Sequence, residues 1–178
     1  MSETEAGSVK KRSSAGTSGS SSVDFGVRVA VAVVRDGAVL LVRHEKPGQE
    51  PYRVLPGGRL EPFETIPACA RREMLEETGL PVRFERVLYV NEFMREGRHT
   101  VDVTVAATLE DDREAALGHD PEVPTGERPT LTGVEWVPVQ RLSSVGLLPE
   151  RVAERLARDL ATDGAPSGRE VYLGSDGD

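Results

Sequence analysis

A capped helix set among β-branched segments is the feature that most restricts how this chain can fold. The helix is predicted over Ile66–Thr78, with Thr65 as its N-cap, Pro67 in its first turn and Gly79 just beyond its last turn. Strand-like runs lie at 27–34, 38–43, 52–55, 82–90, 101–109 and 133–139, and a second amphipathic helix is predicted over 149–160. Strands on both sides of one helix, with another helix at the end, predict a mixed β-sheet covered by helices.

The first two strand-like runs are joined by Arg35-Asp36-Gly37. An Asp-Gly pair between two apolar runs favours a tight turn, because such turns need residues that tolerate positive φ. We therefore predict a β-hairpin here.

Composition divides the 178 residues into one folded domain and two polar tails. Residues 1–24 are rich in Ser and Gly and predict a disordered tail, residues 25–162 form the predicted domain, and residues 163–178 predict a flexible C-terminal tail. Within the domain, residues 110–130 are acidic, contain three prolines and show no periodicity. Loops of this length are either solvated insertions or functional segments such as a lid over the substrate, and both interpretations stay open.

The charge and the cysteine count exclude several classes of protein. Thirty acidic residues against 22 basic ones give a formal charge of −8, which argues against a nucleic-acid polymer as partner and against docking on an anionic membrane. A single cysteine, Cys69, excludes an internal disulfide and a CxxC metal pair. The first residues show no secretory signal, and no apolar run approaches the roughly 20 residues that span a bilayer. We expect a cytoplasmic protein.

Three glutamates on the predicted helix give the first indication of chemistry. Glu73, Glu76 and Glu77 are spaced i, i+3 and i+4, which places them on one helix face. Like charges at this spacing repel one another, so a helix built only for stability would not carry them. Clustered hard oxygen ligands suit Mg²⁺ or Mn²⁺, which bind carboxylates together with water and phosphate oxygens.

Residues 58–80 also resemble the signature of the Nudix hydrolase family, G-x5-E-x7-R-E-U-x-E-E-x-G-U, in which U is apolar. Every fixed position is matched, by Gly58, Glu64, Arg72, Glu73, Met74, Glu76, Glu77, Gly79 and Leu80. Weaker resemblance extends over about 25–160. The resemblance implies a single-domain α/β/α sandwich with a mixed sheet.

The family likeness also implies an activity. Nudix enzymes hydrolyse a diphosphate bond in a nucleoside diphosphate derivative, here one similar to ADP-ribose, a nucleotide sugar or a modified dNTP, with Mg²⁺ or Mn²⁺ as cofactor. The partner is then a small-molecule nucleotide diphosphate, and homodimer formation is left open. The alternative is a non-catalytic Nudix-like sensor that binds a nucleotide without turnover.

By the same likeness, the metal ligands are Glu73, Glu76, Glu77 and the Gly58 carbonyl. Arg72 would orient the glutamates and Glu64 would brace the loop onto the helix. A carboxylate takes the proton of the attacking water, and Glu76 or Glu77 is the candidate within the motif. Candidates outside it are Glu92, Glu96, Asp102 and Glu135.

Substrate contacts are predicted from three arginines, Arg43, Arg53 and Arg59, which can bind phosphate or stack on a base. Arg53 and Phe63 depart from common family usage near the expected substrate mouth, so the family likeness does not fix the substrate. Cys69 is expected to be a small helix residue and not a nucleophile, because no His is placed beside it in the sequence.

Overall fold

The computed structural model describes residues 23–118, 130–163 and 171–176. The predicted N-terminal tail up to residue 22, residues 119–129 of the acidic segment, and residues 164–170 and 177–178 lie outside the described residues. Within the described ranges the chain forms, in order, β1 (Asp24–Ala32), β2 (Val34–Arg35), β3 (Ala38–His44), β4 (Tyr52–Val54), β5 (Gly57–Arg59), α1 (Ile66–Thr78), β6 (Val82–Arg95), β7 (Arg98–Leu109), β8 (Leu131–Pro138), a 3₁₀ helix (Val139–Ser144), β9 (Leu147–Leu148), α2 (Glu150–Asp163) and β10 (Tyr172–Asp176).

The larger sheet is mixed, as predicted, and has the strand order β10-β6-β7-β1-β5. The β1–β7 and β6–β10 pairs are parallel, whereas β6–β7 and β1–β5 are antiparallel. A second sheet, which the sequence did not predict, contains β2, β3, β4 and β9, with β8 paired to β3. Strands outnumber helices, so the fold is a single-domain α/β fold in which the sheets dominate.

Helix α1 has the predicted ends. The Ala68 N–H donates to the Thr65 hydroxyl at 3.3 Å, and Gly79 closes the helix in the left-handed conformation at φ 68°. The helix buries Ala70 and Met74 in a cluster with Val29 and other residues of the larger sheet. Its glutamates therefore lie beside a buried face.

Helix α2 packs on the opposite side of β1. Its residues Val152 and Leu156 form a second buried cluster that includes Ala30 of β1 and Tyr89 of β6. Both faces of β1 are thus covered, which explains its nearly continuous apolar sequence.

The predicted hairpin is confirmed only near its turn. Asp36 and Gly37 have positive φ values of 51° and 73°, but only the two residues of β2 pair with β3 across this turn. Strand β1 instead belongs to the larger sheet, because its two faces are buried against the clusters of both helices.

The C-terminal segment differs from the prediction of a flexible tail. Strand β10 pairs in parallel with β6, the Val90 N–H donates to the Val171 carbonyl at 2.7 Å, and Arg151 of α2 donates to Asp176 at 2.5 Å. The apolar residues Val171, Tyr172 and Leu173 therefore attach this otherwise polar segment to the edge of the larger sheet.

Among the described residues, no helix combines the length and hydropathy that crossing a membrane requires.

Candidate active site

Strand β5 lies along the carboxylate face of α1 and sets the geometry of the site. Gly57 and Gly58 pair with Ala30 and Val29 of β1, and the Gly57 N–H donates to Glu77 Oε2 at 2.8 Å. Glu73 and Glu77 are only 4% and 5% exposed. Two carboxylates are therefore held in a largely buried position against a strand that contributes backbone groups.

Close contacts leave no room for a Cβ at either glycine. A Cβ on Gly58 would lie 2.3 Å from Glu73 Oε1, whereas a Cβ on Gly57 would lie 2.0 Å from the Val29 carbonyl oxygen. Gly57 also has φ 144°, a conformation that residues with side chains rarely adopt. A Cβ on Gly58 would therefore meet only the end of the flexible Glu73 side chain, whereas a Cβ on Gly57 would meet backbone atoms.

We therefore expect the two alanine variants to lose different properties, activity in one and stability in the other. Gly58→Ala should keep the fold but displace the Glu73 carboxylate, so that activity falls by about tenfold or more, as in sites whose ligands lose their orientation. Gly57→Ala should lower the free energy of unfolding strongly, because backbone atoms would have to move. Urea unfolding and initial rates measured on both variants check this. Equal stability of the two variants would contradict it.

Arg72 donates hydrogen bonds to three glutamates of the site. Its Nε and Nη2 donate to the two oxygens of Glu64, each at 3.0 Å, while Nη1 donates to Glu73 at 2.6 Å and to Glu76 at 3.1 Å. Nη2 also donates to the Arg59 carbonyl at 3.1 Å. The bond from Arg72 lowers the pKa of Glu64, and the glutamates raise the pKa of Arg72, so these groups stay ionised at neutral pH.

Glu64 and Cys69 lie next to this cation. Glu64 also accepts a bond from the Glu61 N–H at 3.1 Å, which links the loop before α1 to the helix. Burial and the charges of Glu64 and Glu73 raise the pKa of the Cys69 thiol to about 12. Cys69 is therefore a protonated thiol at neutral pH, which is unsuitable for a nucleophile.

The oxygen donors suit a divalent cation by their chemistry. The ranges that the structure describes contain no group of three His, Cys, Asp or Glu side chains already arranged around a metal position. Mg²⁺ needs only one or two protein carboxylates, because waters and substrate phosphates supply its other ligands. The buried carboxylates of Glu73 and Glu77, beside a strand that only glycine allows to approach so closely, fit this requirement.

A cleft in two parts opens from these carboxylates. The first part, the carboxylate chamber, has a volume of about 310 Å³ and is lined by residues that include Gly58, Glu73 and Glu77. The second part, the inner chamber, has a volume of about 700 Å³ and is lined by residues that include Asn91, Phe93, Asp102, Leu148 and Pro149. Arg28, Tyr52, Val54, Arg98 and Thr100 line both chambers, so the two chambers are adjacent.

The three arginines predicted to bind substrate occupy different places. Arg59 lines the carboxylate chamber, where its guanidinium also bonds Asp24 at 3.1 Å. Arg43 pairs with Glu45 at 2.7 Å and Arg53 pairs with Glu135, and neither of the two arginines lines either chamber.

Most of the carboxylates outside the motif that were candidates for accepting the proton of the attacking water lie away from the cleft. Only Asp102 lines the cleft, and burial raises its pKa above the ordinary value. Glu92 accepts bonds from Tyr172 and lies 2.7 Å from His99, and Glu135 is held by Arg53. Neither these two glutamates nor Glu96 lines a chamber.

Sequence reasoning missed Arg28, Arg98 and Asn91 as cleft residues. Arg28 donates to the carbonyls of Leu55 and Gly57 at 2.8 and 3.0 Å, where the two chambers meet. It is the only charged residue in the strand-like run 27–34, and a charge within an otherwise apolar run was the available signal.

Comparison with known proteins identifies the class of enzyme. Residues 24–159 match the family model of the NUDIX domain, which is more than half of the chain. The match assigns the chain to a family of hydrolases that act on phosphorus-containing anhydrides. The chain belongs to the NUDIX family.

Solved structures share the fold at low sequence identity. A NUDIX hydrolase from Nitrosomonas europaea has a TM-score of 0.67 and 19% identity, with 87% of this chain and 80% of that chain covered. A MutT NUDIX hydrolase from Burkholderia pseudomallei has a TM-score of 0.57 and 23% identity, with 73% and 95% covered. An ADP-ribose pyrophosphatase from Streptococcus suis has a TM-score of 0.57 and 18% identity, with 85% and 98% covered.

Proposed function

We propose that this chain is a divalent-metal-dependent pyrophosphohydrolase, which cleaves the diphosphate bond of a nucleoside diphosphate derivative. The observation that carries the proposal is the pair of buried carboxylates, Glu73 and Glu77, which line a chamber that adjoins a larger one. Such a cleft can take a diphosphate at one end and a nucleoside at the other. Substrates similar to ADP-ribose, nucleotide sugars and modified dNTPs are all candidates.

In this proposal Mg²⁺ or Mn²⁺ is held by Glu73, Glu76, Glu77 and the Gly58 carbonyl. The cation would supply charge neutralisation for the diphosphate and would acidify water. It would also explain how a chain with a charge of −8 attracts a polyanion.

The chain's own residues then have distinct tasks. Arg72 fixes the carboxylates of Glu73 and Glu76 by charge-assisted hydrogen bonds, and Glu64 holds the guanidinium of Arg72 from the loop side. Glu76 or Glu77 accepts the proton of the water that attacks phosphorus. Arg59 and Arg28, which line the carboxylate chamber, can bind phosphate oxygens.

The test is hydrolysis of a panel of nucleoside diphosphate derivatives with Mg²⁺ or Mn²⁺, with the products identified. Hydrolysis by the wild-type chain supports the proposal. Tight binding without turnover across the panel would instead favour the nucleotide-binding sensor.

Removal of the metal provides a second prediction. Excess chelator should abolish activity and lower the unfolding temperature slightly, because the glutamates of α1 would lose a neutralising cation. Rates and thermal unfolding curves are recorded with chelator, and again after Mg²⁺ is restored. An unchanged rate in excess chelator would contradict metal dependence.

A further inference from the structure

The inner chamber has a polar floor made by one row of residues across the larger sheet. Arg28 of β1 is the register partner of Asp102 of β7, and Asp102 is the register partner of Asn91 of β6. Register partners on neighbouring strands point to the same face of a sheet. All three residues line the inner chamber, in a part of the sheet where the surrounding positions are mostly apolar.

Two of these side chains are buried and carry polar atoms that have no hydrogen-bond partner in the described part of the chain. Asn91 is 0% exposed, and neither its amide oxygen nor its amide nitrogen has a partner. Asp102 is 7% exposed; Arg28 donates to its Oδ2 at 3.4 Å, and its Oδ1 has no partner. A buried polar group without a partner lowers stability, so such a group requires an explanation beyond stability.

The surroundings favour a partly apolar ligand group that carries no phosphate. Phe93, Leu148 and Pro149 line the walls. Glu150 and Glu154 also line this chamber, while Arg151 is engaged by Asp176. Arg28 and Arg98 line both chambers, so they do not distinguish the two, whereas the carboxylates of Asp102, Glu150 and Glu154 line the inner chamber alone. Phosphates are therefore better placed in the carboxylate chamber, where Mg²⁺ is proposed.

We infer that Asn91 and Asp102 read the hydrogen-bonding edge of a nucleobase in the inner chamber, and thereby set the base specificity of this enzyme. The inference rests on the proposed function, because the diphosphate of the same substrate would lie in the carboxylate chamber. An amide offers both donors and an acceptor, and a carboxyl adds an acceptor or a donor, which is the set that discriminates among bases. Binding of the right base would supply the missing partners.

The test separates base reading from hydrolysis. Affinities of the wild-type chain for AMP, GMP, CMP and UMP are measured by calorimetry, and kcat/KM is measured for diphosphate derivatives of the same four bases. We expect one base to bind about tenfold or more tightly than the least favoured one, a factor typical of one well-placed bidentate contact. Asn91→Leu should remove this preference, and Asp102→Asn, which exchanges an acceptor for a donor, should change which base is preferred.

Thr104→Val is the matched control. The Thr104 hydroxyl is also buried without a partner in the described residues and lies two residues from Asp102, but Thr104 does not line the inner chamber. This variant should keep the wild-type preference, and thermal unfolding of all variants reports whether they fold. If Asn91→Leu does not fold, the altered preference of Asp102→Asn decides the question.

The outcomes distinguish the two proposals. Equal affinity for all four monophosphates, or no binding of any of them, would overturn base reading by Asn91 and Asp102, and hydrolysis of the panel would still support the proposed activity. Selective binding that disappears in Asn91→Leu, in a chain that hydrolyses none of the panel, would support base reading and refute the proposed hydrolysis.

Discussion

Glu77→Gln is expected to lower kcat by about 10²–10⁴-fold while leaving the fold intact, a loss typical of removing a catalytic acid or base. Glutamine keeps a carbonyl oxygen that can accept the bond from the Gly57 N–H, so β5 should remain in place against α1. It removes the negative charge that would bind the cation or take the proton from water. Initial rates at saturating Mg²⁺ measure the loss of kcat, and the unfolding temperature shows whether the fold is intact.

Glu61→Gln is the matched control for this charge removal. Glu61 lies in the same loop-helix segment but is exposed, and its backbone N–H, not its carboxylate, makes the bond to Glu64. Its kcat should stay within about twofold of the wild-type value, since an exposed charge outside the site contributes little. Glu76→Gln belongs to the same series, because Arg72 holds Glu76 and the proton acceptor could be either glutamate. Full activity in both Glu76→Gln and Glu77→Gln would refute the roles proposed for them.

The sequence predicted the parts of this fold that local chemistry determines. The ends of α1 follow from Thr65 and Gly79, and the position of Glu73 and Glu77 beside the buried Met74 follows from helical periodicity. The mixed type of the larger sheet also followed, from strand-like runs on both sides of α1 along the chain and a second helix at the end. Strand β5 was missed because glycines normally weaken a strand. Here Gly58 lies close to Glu73 of α1, and Gly57 lies close to the backbone of β1, so neither position has room for a side chain.

The inner chamber could not be predicted, because it depends on register between distant segments. Asn91 and Asp102 lie on the two arms of the β6–β7 hairpin, and the two-residue turn between Arg95 and Arg98 sets their register. Arg28 is far from both in the sequence and meets them only through the pairing of β1 with β7. Nothing in the residues around Arg28 specifies which residue of β7 lies opposite. The same limit applies to Arg53, which looked available for substrate until the pairing of β3 with β4 and β8 placed it beside Glu135.

Arg72→Ala should destabilise the chain more than any other substitution of an arginine in α1. It removes the cation that bonds Glu64, Glu73 and Glu76, so three carboxylates are left close together. The free energy of unfolding should fall by about 2–4 kcal/mol, somewhat less than for a fully buried ion pair because the Arg72 side chain is 24% exposed. Urea unfolding measures this loss, and Arg71→Ala, on the exposed side of the same helix turn, is the control.

Mg²⁺ and a conservative variant distinguish a role in the site from a role in the fold. Added Mg²⁺ should restore part of the stability of Arg72→Ala, because a cation bound to the glutamates stabilises only the folded state. Arg72→Lys keeps the charge but loses the two-pronged contact with Glu64, so it should recover stability more fully than kcat. If Arg72→Ala were no less stable than Arg71→Ala, the guanidinium would not hold the glutamates together. If it lost stability yet kept its full kcat with Mg²⁺, Arg72 would serve the loop and helix alone, and the orientation of the carboxylates would have to come from β5 and the bond between Gly57 and Glu77.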